Sequence, residues 1–114
     1  MSPITTHVLD TARGRPAAGV VVILEQAAGG QGWTELARGT TDADGRLRDL
    51  LREHTGLAGG VYRLRFGTGA YFRSQGVRGF FPEVQVTVEL EAGTGPYHIP
   101  LLLSPYGYST YRGS

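Results

Sequence analysis

Short apolar runs cut apart by glycine-rich turns constrain this chain more than any other feature. Val61-Tyr62-Arg63-Leu64-Arg65-Phe66 and Val84 to Leu90 (VQVTVEL) alternate apolar and polar residues, the period of a half-buried strand. Gly19 to Gln26 (GVVVILEQ) is nearly continuous and β-branched, which predicts a strand buried on both faces. Ile4–Asp10, Trp33–Thr41, His98–Leu103 and Tyr108–Gly113 complete the strand candidates. Between them stand Thr-Ala-Arg-Gly-Arg-Pro, the glycine-rich loop from Ala27 to Gly32, Asp42-Ala43-Asp44-Gly45 and Gly59-Gly60. The 18 glycines in 114 residues supply such turns in excess of ordinary usage.

Arg46 to Leu51 is ambiguous, with leucines at helical spacing in a stretch too short to decide, and Thr68 to Gln75 reads as one short helix. Seven or eight strands at short spacing predict a mainly β chain, a two-sheet sandwich with one short helix. No linker divides the sequence, so one domain over residues 1–114 is expected.

Composition then excludes chemistry. Without cysteine there is no thiol nucleophile, disulfide or zinc–thiolate site. All 11 basic residues are arginine, so Schiff-base catalysis and a phosphate-loop lysine are excluded as well. A net charge of +1 with no dense basic stretch argues against a nucleic-acid partner. No apolar run is long enough to span a membrane and no signal peptide is visible, so cytoplasmic residence is the expectation.

Local motifs add little by themselves. Asp42-Ala43-Asp44-Gly45 would put Leu51 at the last position of a calcium loop, where a carboxylate is needed, so a turn is the better reading. Gly67-Thr68-Gly69 begins a dinucleotide fingerprint that Phe72 breaks. No Gly-x-Ser-x-Gly elbow is present. His7, His54 and His98 are far apart and none has a second ligand at metal spacing, so no metal site is expected. Taken singly, a strand histidine is ordinarily packed or solvated, an arginine after a turn ordinarily faces water, and a terminal Tyr-Arg-Gly-Ser ordinarily frays.

Four segments together outweigh those ordinary readings. Tyr97 to Ser114 (YHIPLLLSPYGYSTYRGS) and Ile4 to Ala17 (ITTHVLDTARGRPA) resemble the two signatures of the 5-hydroxyisourate hydrolases, the transthyretin-related family. TDADGR (Thr41 to Arg46) and FFPEV (Phe80 to Val84) match in the same order, so the resemblance covers essentially the whole chain.

The resemblance implies a transthyretin-like sandwich assembled as a homotetramer, a dimer of dimers with active sites in a channel between dimers. It carries the catalytic roles to His7, Arg46 and His98. Tyr111, Arg112, Gly113 and Ser114 are similar to the tail that borders the same site, and His54 is left as a surface residue. The implied reaction opens a cyclic amide-type C–N bond of a purine-derived ring in urate breakdown, with no cofactor. Such a step needs an activated water, oxyanion stabilisation and a proton for the leaving nitrogen. Two histidines and an arginine can supply all three without a metal, thiol or covalent intermediate. Two other readings stand beside it: a non-catalytic small-molecule carrier like transthyretin, which does not need this polar set, and a purely structural sandwich module.

Overall fold

The computed structural model describes residues 2–30, 32–52 and 55–114; His54 lies outside them. The elements run β1 (Ile4–Asp10), β2 (Arg15–Pro16), β3 (Val21–Ala27), β4 (Trp33–Thr40), β5 (Arg46–Leu47), β6 (Gly60–Phe66), α1 (Thr68–Ser74), β7 (Val84–Leu90), β8 (Tyr97–Ser104) and β9 (Gly107–Thr110). Two sheets form. One has the order β2-β1-β8-β9 with β5 also paired to β1, and the other has the order β4-β3-β6-β7. The result is the expected mainly β sandwich with one short helix. Seven strands have four or more residues, and β2 and β5 are two-residue pieces docked on β1.

Period-two alternation fixes what lies between the sheets. Ile4 and Val8 of β1 and Ile99, Leu101 and Leu103 of β8 face Val22 and Leu24 of β3, Tyr62, Leu64 and Phe66 of β6 and Val84 and Val86 of β7. Each large aliphatic buried this way contributes roughly 1.5–3 kcal/mol relative to exposure. The residues of opposite parity face outward, so Thr5 and His7 on β1 and His98 on β8 share one outer face. Of the three leucines Leu101 to Leu103, only Leu102 points that way.

Two expectations change and one ambiguity is resolved. The GVVVILEQ strand is not buried on both faces: Val21 is 41% exposed and Ile23 is half-buried, because this sheet is covered on one side only. Its outer face instead carries paired charges. Glu25 contacts Arg63 at 2.6 Å and Arg65 at 3.4 Å, and the Arg63 guanidinium lies 4.2 Å over the Trp33 ring. The leucines after Arg46 are not helical; Leu47 and Leu50 reach the core from β5 and the bend after it. The last strand stops at Thr110, three residues short of the expected end, and Gly113 returns as an isolated bridge to His98.

Helix α1 buries Tyr71 and Phe72, whose rings meet edge-on at 5.3 Å. It is tied to the end of β1 by the Tyr71 hydroxyl, which donates to Asp10 Oδ2 at 2.8 Å. Asp10 Oδ1 accepts from the amides of Ala12 and Arg13, so the carboxylate also closes the turn toward β2. Among the described residues no helix is long and apolar enough to cross a membrane.

Candidate active site

The Asp42-Ala43-Asp44-Gly45 turn places two candidate groups at once. Asp42 Oδ1 accepts the amides of Asp44 (2.9 Å) and Arg46 (3.0 Å), while its own amide donates to the Arg46 carbonyl. Those amide bonds, that of Arg46 first, hold the Asp42 carboxyl below its ordinary range. Gly45 has φ of +74°, and a Cβ there would stand 2.3 Å from the Val8 carbonyl. Only glycine lets the turn press onto β1, where the Val8 amide donates to the Gly45 carbonyl at 2.7 Å. This docking makes β5 and sets His7 opposite Arg46. Directly opposed Cβ atoms lie roughly 4.5–5.5 Å apart. The turn also offers the Asp44 carbonyl, 2.8 Å from His7 Nε2. A carbonyl only accepts, so Nε2 carries a proton and donates it to Asp44.

On the other side of β1, parallel pairing with β8 sets Thr5, not His7, opposite His98. Thr5 Oγ1 is 2.8 Å from His98 Nδ1. Partial burial is the main influence on this imidazole, with the Arg46 and His7 charges next, and together they lower its pKa below the ordinary 6.5. The shift favours the neutral imidazole of His98.

A cleft of about 250 Å³ opens at this place, lined by Thr5, Thr6, Arg46, Arg48, Pro96, Tyr97, His98 and Ser114. Among the described residues no acidic side chain is in its lining, in contrast to the paired charges outside the other sheet. His7 is not among the lining residues; it stands beside them on the same face, between Arg46 and Pro100 in register. The terminal tetrapeptide divides. Ser114 lines the cleft and Gly113 bridges His98, whereas Tyr111 and Arg112 line a second hollow between β7 and the β8–β9 edge. There the Arg112 guanidinium lies 5.0 Å over the Tyr97 ring.

Thr5, Arg48 and Tyr97 were not marked by the sequence reading. The signal for the first two was parity: Thr5 precedes His7, and Arg48 follows Arg46, by two positions.

Two sheets in this order, with a short helix after β6 and a histidine–arginine cleft on one outer face, define a transthyretin-like β-sandwich. The family model described as HIUase/Transthyretin matches residues 4–113. A 5-hydroxyisourate hydrolase of Salmonella dublin is 50% identical over 97% of this chain and 80% of its own length. One from Mus musculus is 45% identical over 99% and 96%. Among solved structures, transthyretin from Sparus aurata superposes with a TM-score of 0.91 at 36% identity, over 99% of this chain and 97% of its own. The chain belongs to the HIUase/Transthyretin family.

Proposed function

We propose that the chain hydrolyses 5-hydroxyisourate to 2-oxo-4-hydroxy-4-carboxy-5-ureidoimidazoline in urate breakdown, with His7, Arg46 and His98 as the reacting group. The observation that carries the reading is the register of β1. It sets Arg46 opposite His7 and, two residues away, Thr5 opposite His98, so that all three side chains share one outer face. The names of the relatives at 45–50% identity point the same way.

Neutral His98 takes a proton from water, whose oxygen attacks the ring carbonyl carbon. The carbonyl electron pair moves to oxygen, where the Arg46 guanidinium meets the developing charge with a planar pair of N–H donors. Collapse breaks the C–N bond, and the proton held by His98 passes to the leaving nitrogen. His7, anchored through Nε2–H on the Asp44 carbonyl, orients the ring through Nδ1. Ser114, and Tyr111 and Arg112 from the adjacent hollow, border the bound substrate.

The reading includes a homotetramer built as a dimer of dimers. Among the described residues, strand β7 pairs only with β6 and β9 only with β8, which leaves two sheet edges beside the Tyr111–Arg112 hollow. Light scattering should give four chains; a stable, fully active monomer removes this part. The carrier alternative draws on the likeness to a transthyretin, but a carrier without chemistry does not need Arg46, Arg48 and His98 gathered in one cleft. The deciding experiment follows 5-hydroxyisourate, made freshly from urate by urate oxidase, in the ultraviolet with spontaneous decay subtracted. Acceleration proportional to protein concentration is expected; decay at the spontaneous rate refutes the hydrolase reading.

A further inference from the structure

His98 is held on two sides by groups that have no reacting role of their own. On one side is Thr5, whose side-chain oxygen is 2.8 Å from Nδ1 and whose residue is only 8% exposed. On the other is Gly113. Its amide donates to the His98 carbonyl at 2.7 Å, and a Cβ built on it would stand 2.6 Å from His98 Cδ2 and 3.2 Å from Cγ. That separation is shorter than any real carbon contact, so the backbone of Gly113 lies flat against the imidazole edge, a place open only to glycine. With Nδ1 committed to Thr5 and the Cδ2 edge against Gly113, Nε2 is the ring nitrogen left for the cleft.

We propose that Thr5 and Gly113 are positioning residues that clamp His98 in one ring orientation and one tautomer, with Nδ1–H donated to Thr5 and the Nε2 lone pair presented to the cleft. The choice of tautomer and its catalytic consequence rest on the reading of His98 as the base; the fixed ring orientation does not. The side-chain oxygen of Thr5, 2.8 Å away, can accept that proton. The opposite arrangement, with the threonine hydroxyl donating to Nδ1, would put a proton on Nε2 and leave no acceptor for a water proton. The proposal also reassigns Gly113. It does not touch substrate; its missing side chain makes room for the ring.

The test reads the ring directly. Wild type, Thr5→Val, Thr5→Ser and Gly113→Ala are labelled with ¹⁵N, and long-range proton–nitrogen spectra are taken at pH 7.5, with His98 assigned by its loss in His98→Gln. Expected in wild type is a pyrrole-type Nδ1 and a pyridine-type Nε2. Thr5→Val should average the two nitrogens toward a mixture of tautomers, and Thr5→Ser should restore the wild-type pattern. Turnover of 5-hydroxyisourate by Thr5→Val should fall about 10–100-fold in kcat with KM nearly unchanged, the usual scale for groups that orient a functional histidine. Gly113→Ala should disturb the His98 signals; if that variant does not fold, the threonine pair decides alone. A pyrrole-type Nε2 in wild type overturns the clamp, and so does a Thr5→Val spectrum identical to wild type. The expected ring state in a protein with no turnover supports the clamp and refutes the hydrolase reading, so the two failures are distinct.

Discussion

Tyr71→Phe removes a single buried oxygen and tests what anchors the strand that carries His7. The Tyr71 side chain is 4% exposed, and its hydroxyl donates at 2.8 Å to Asp10, itself 1% exposed. Burial first, and then the bond to the Asp10 carboxylate, pushes the phenol up to about 12 from its ordinary 10. The sign follows from linkage: a group whose folded pKa is raised adds stability that is complete below its unfolded pKa and is lost as pH climbs through the folded one. Each pKa step of one is worth about 1.36 kcal/mol, so roughly 2.7 kcal/mol disappears between about pH 10 and pH 12. A hydrogen bond to a charged group is independently worth about 1.5–3 kcal/mol. The hydrogen bond sets the neutral-pH effect: Tyr71→Phe should lose about 2 kcal/mol, or a Tm lower by about 8 °C for a chain of this size. Urea unfolding at pH 7.5, 9.5 and 11.5 measures it. The gap between wild type and variant should be widest at the lower two values and shrink at the highest. Turnover should stay near wild type, because Tyr71 lies in the core and not in the cleft lining. A Tm within about 1 °C of wild type, or equal alkaline losses in both proteins, would refute the anchoring argument.

Three further outcomes bear on the site. Because the His98 pKa lies below 6.5, its proton-accepting form is lost only on acidification past that value. Initial rates from pH 5 to 9 should show an acid limb of kcat/KM inflecting below 6.5 that vanishes in His98→Gln and persists in the control His54→Ala; an inflection above 7 contradicts the assignment of the base. Arg46→Ala should lower kcat/KM about 10²–10³-fold, the scale of one lost oxyanion donor, and Arg46→Lys should stay closer to Arg46→Ala than to wild type. A lysine variant with near-normal rates would mean that bulk charge is enough. Gly45→Ala, with its Cβ driven to 2.3 Å from the Val8 carbonyl at φ of +74°, should lose at least about 1–3 kcal/mol in urea unfolding and part of its turnover, since β5 shifts with Arg46. An unchanged midpoint would show that the turn docks differently.

The strands were legible where one face of a sheet is buried and the other wet. Val61 to Phe66 and Val84 to Leu90 alternate for that reason; the second has the expected bounds and the first begins one residue earlier, at Gly60. Where the period was absent, length and composition misled. The apolar run from Gly19 looked doubly buried, yet Val21 and Ile23 belong to an outer face. Leu47 and Leu50 mimic a helix because both fill the core from an irregular segment whose shape is imposed by the Asp42 turn docking on β1. Strands β2 and β5 exist only as partners of β1, so no local signal announces them. The site was legible in a different sense. Strand parity sets His7 on the face away from Ile4 and Val8, a signal the residues carry, but nothing local says that Thr5 lies opposite His98, because that register belongs to two strands at opposite ends of the chain. The split of the terminal tetrapeptide between two hollows was hidden for the same reason: Gly113 is placed by a long-range bridge and not by the strand that precedes it.

This separation of faces explains how a sandwich of one shape can carry chemistry in one protein and hold a ligand in another. Inward positions of β1 and β8, from Ile4 and Val8 to Ile99, Leu101 and Leu103, determine whether the sheets close, and substitutions there cost core packing. Outward positions Thr5, His7, Arg46, Arg48 and His98 lie on the other face, outside the buried apolar cluster, so they can change with less cost to the core. The two sets are not fully independent, however. Gly45 presses the arginine-bearing turn onto the Val8 backbone, and Gly113 presses the tail onto His98, so the site depends on two backbone approaches that only glycine permits. A transthyretin-like chain with the outward side chains but a bulkier residue at either glycine should therefore keep its core while losing the geometry of its histidines and arginine.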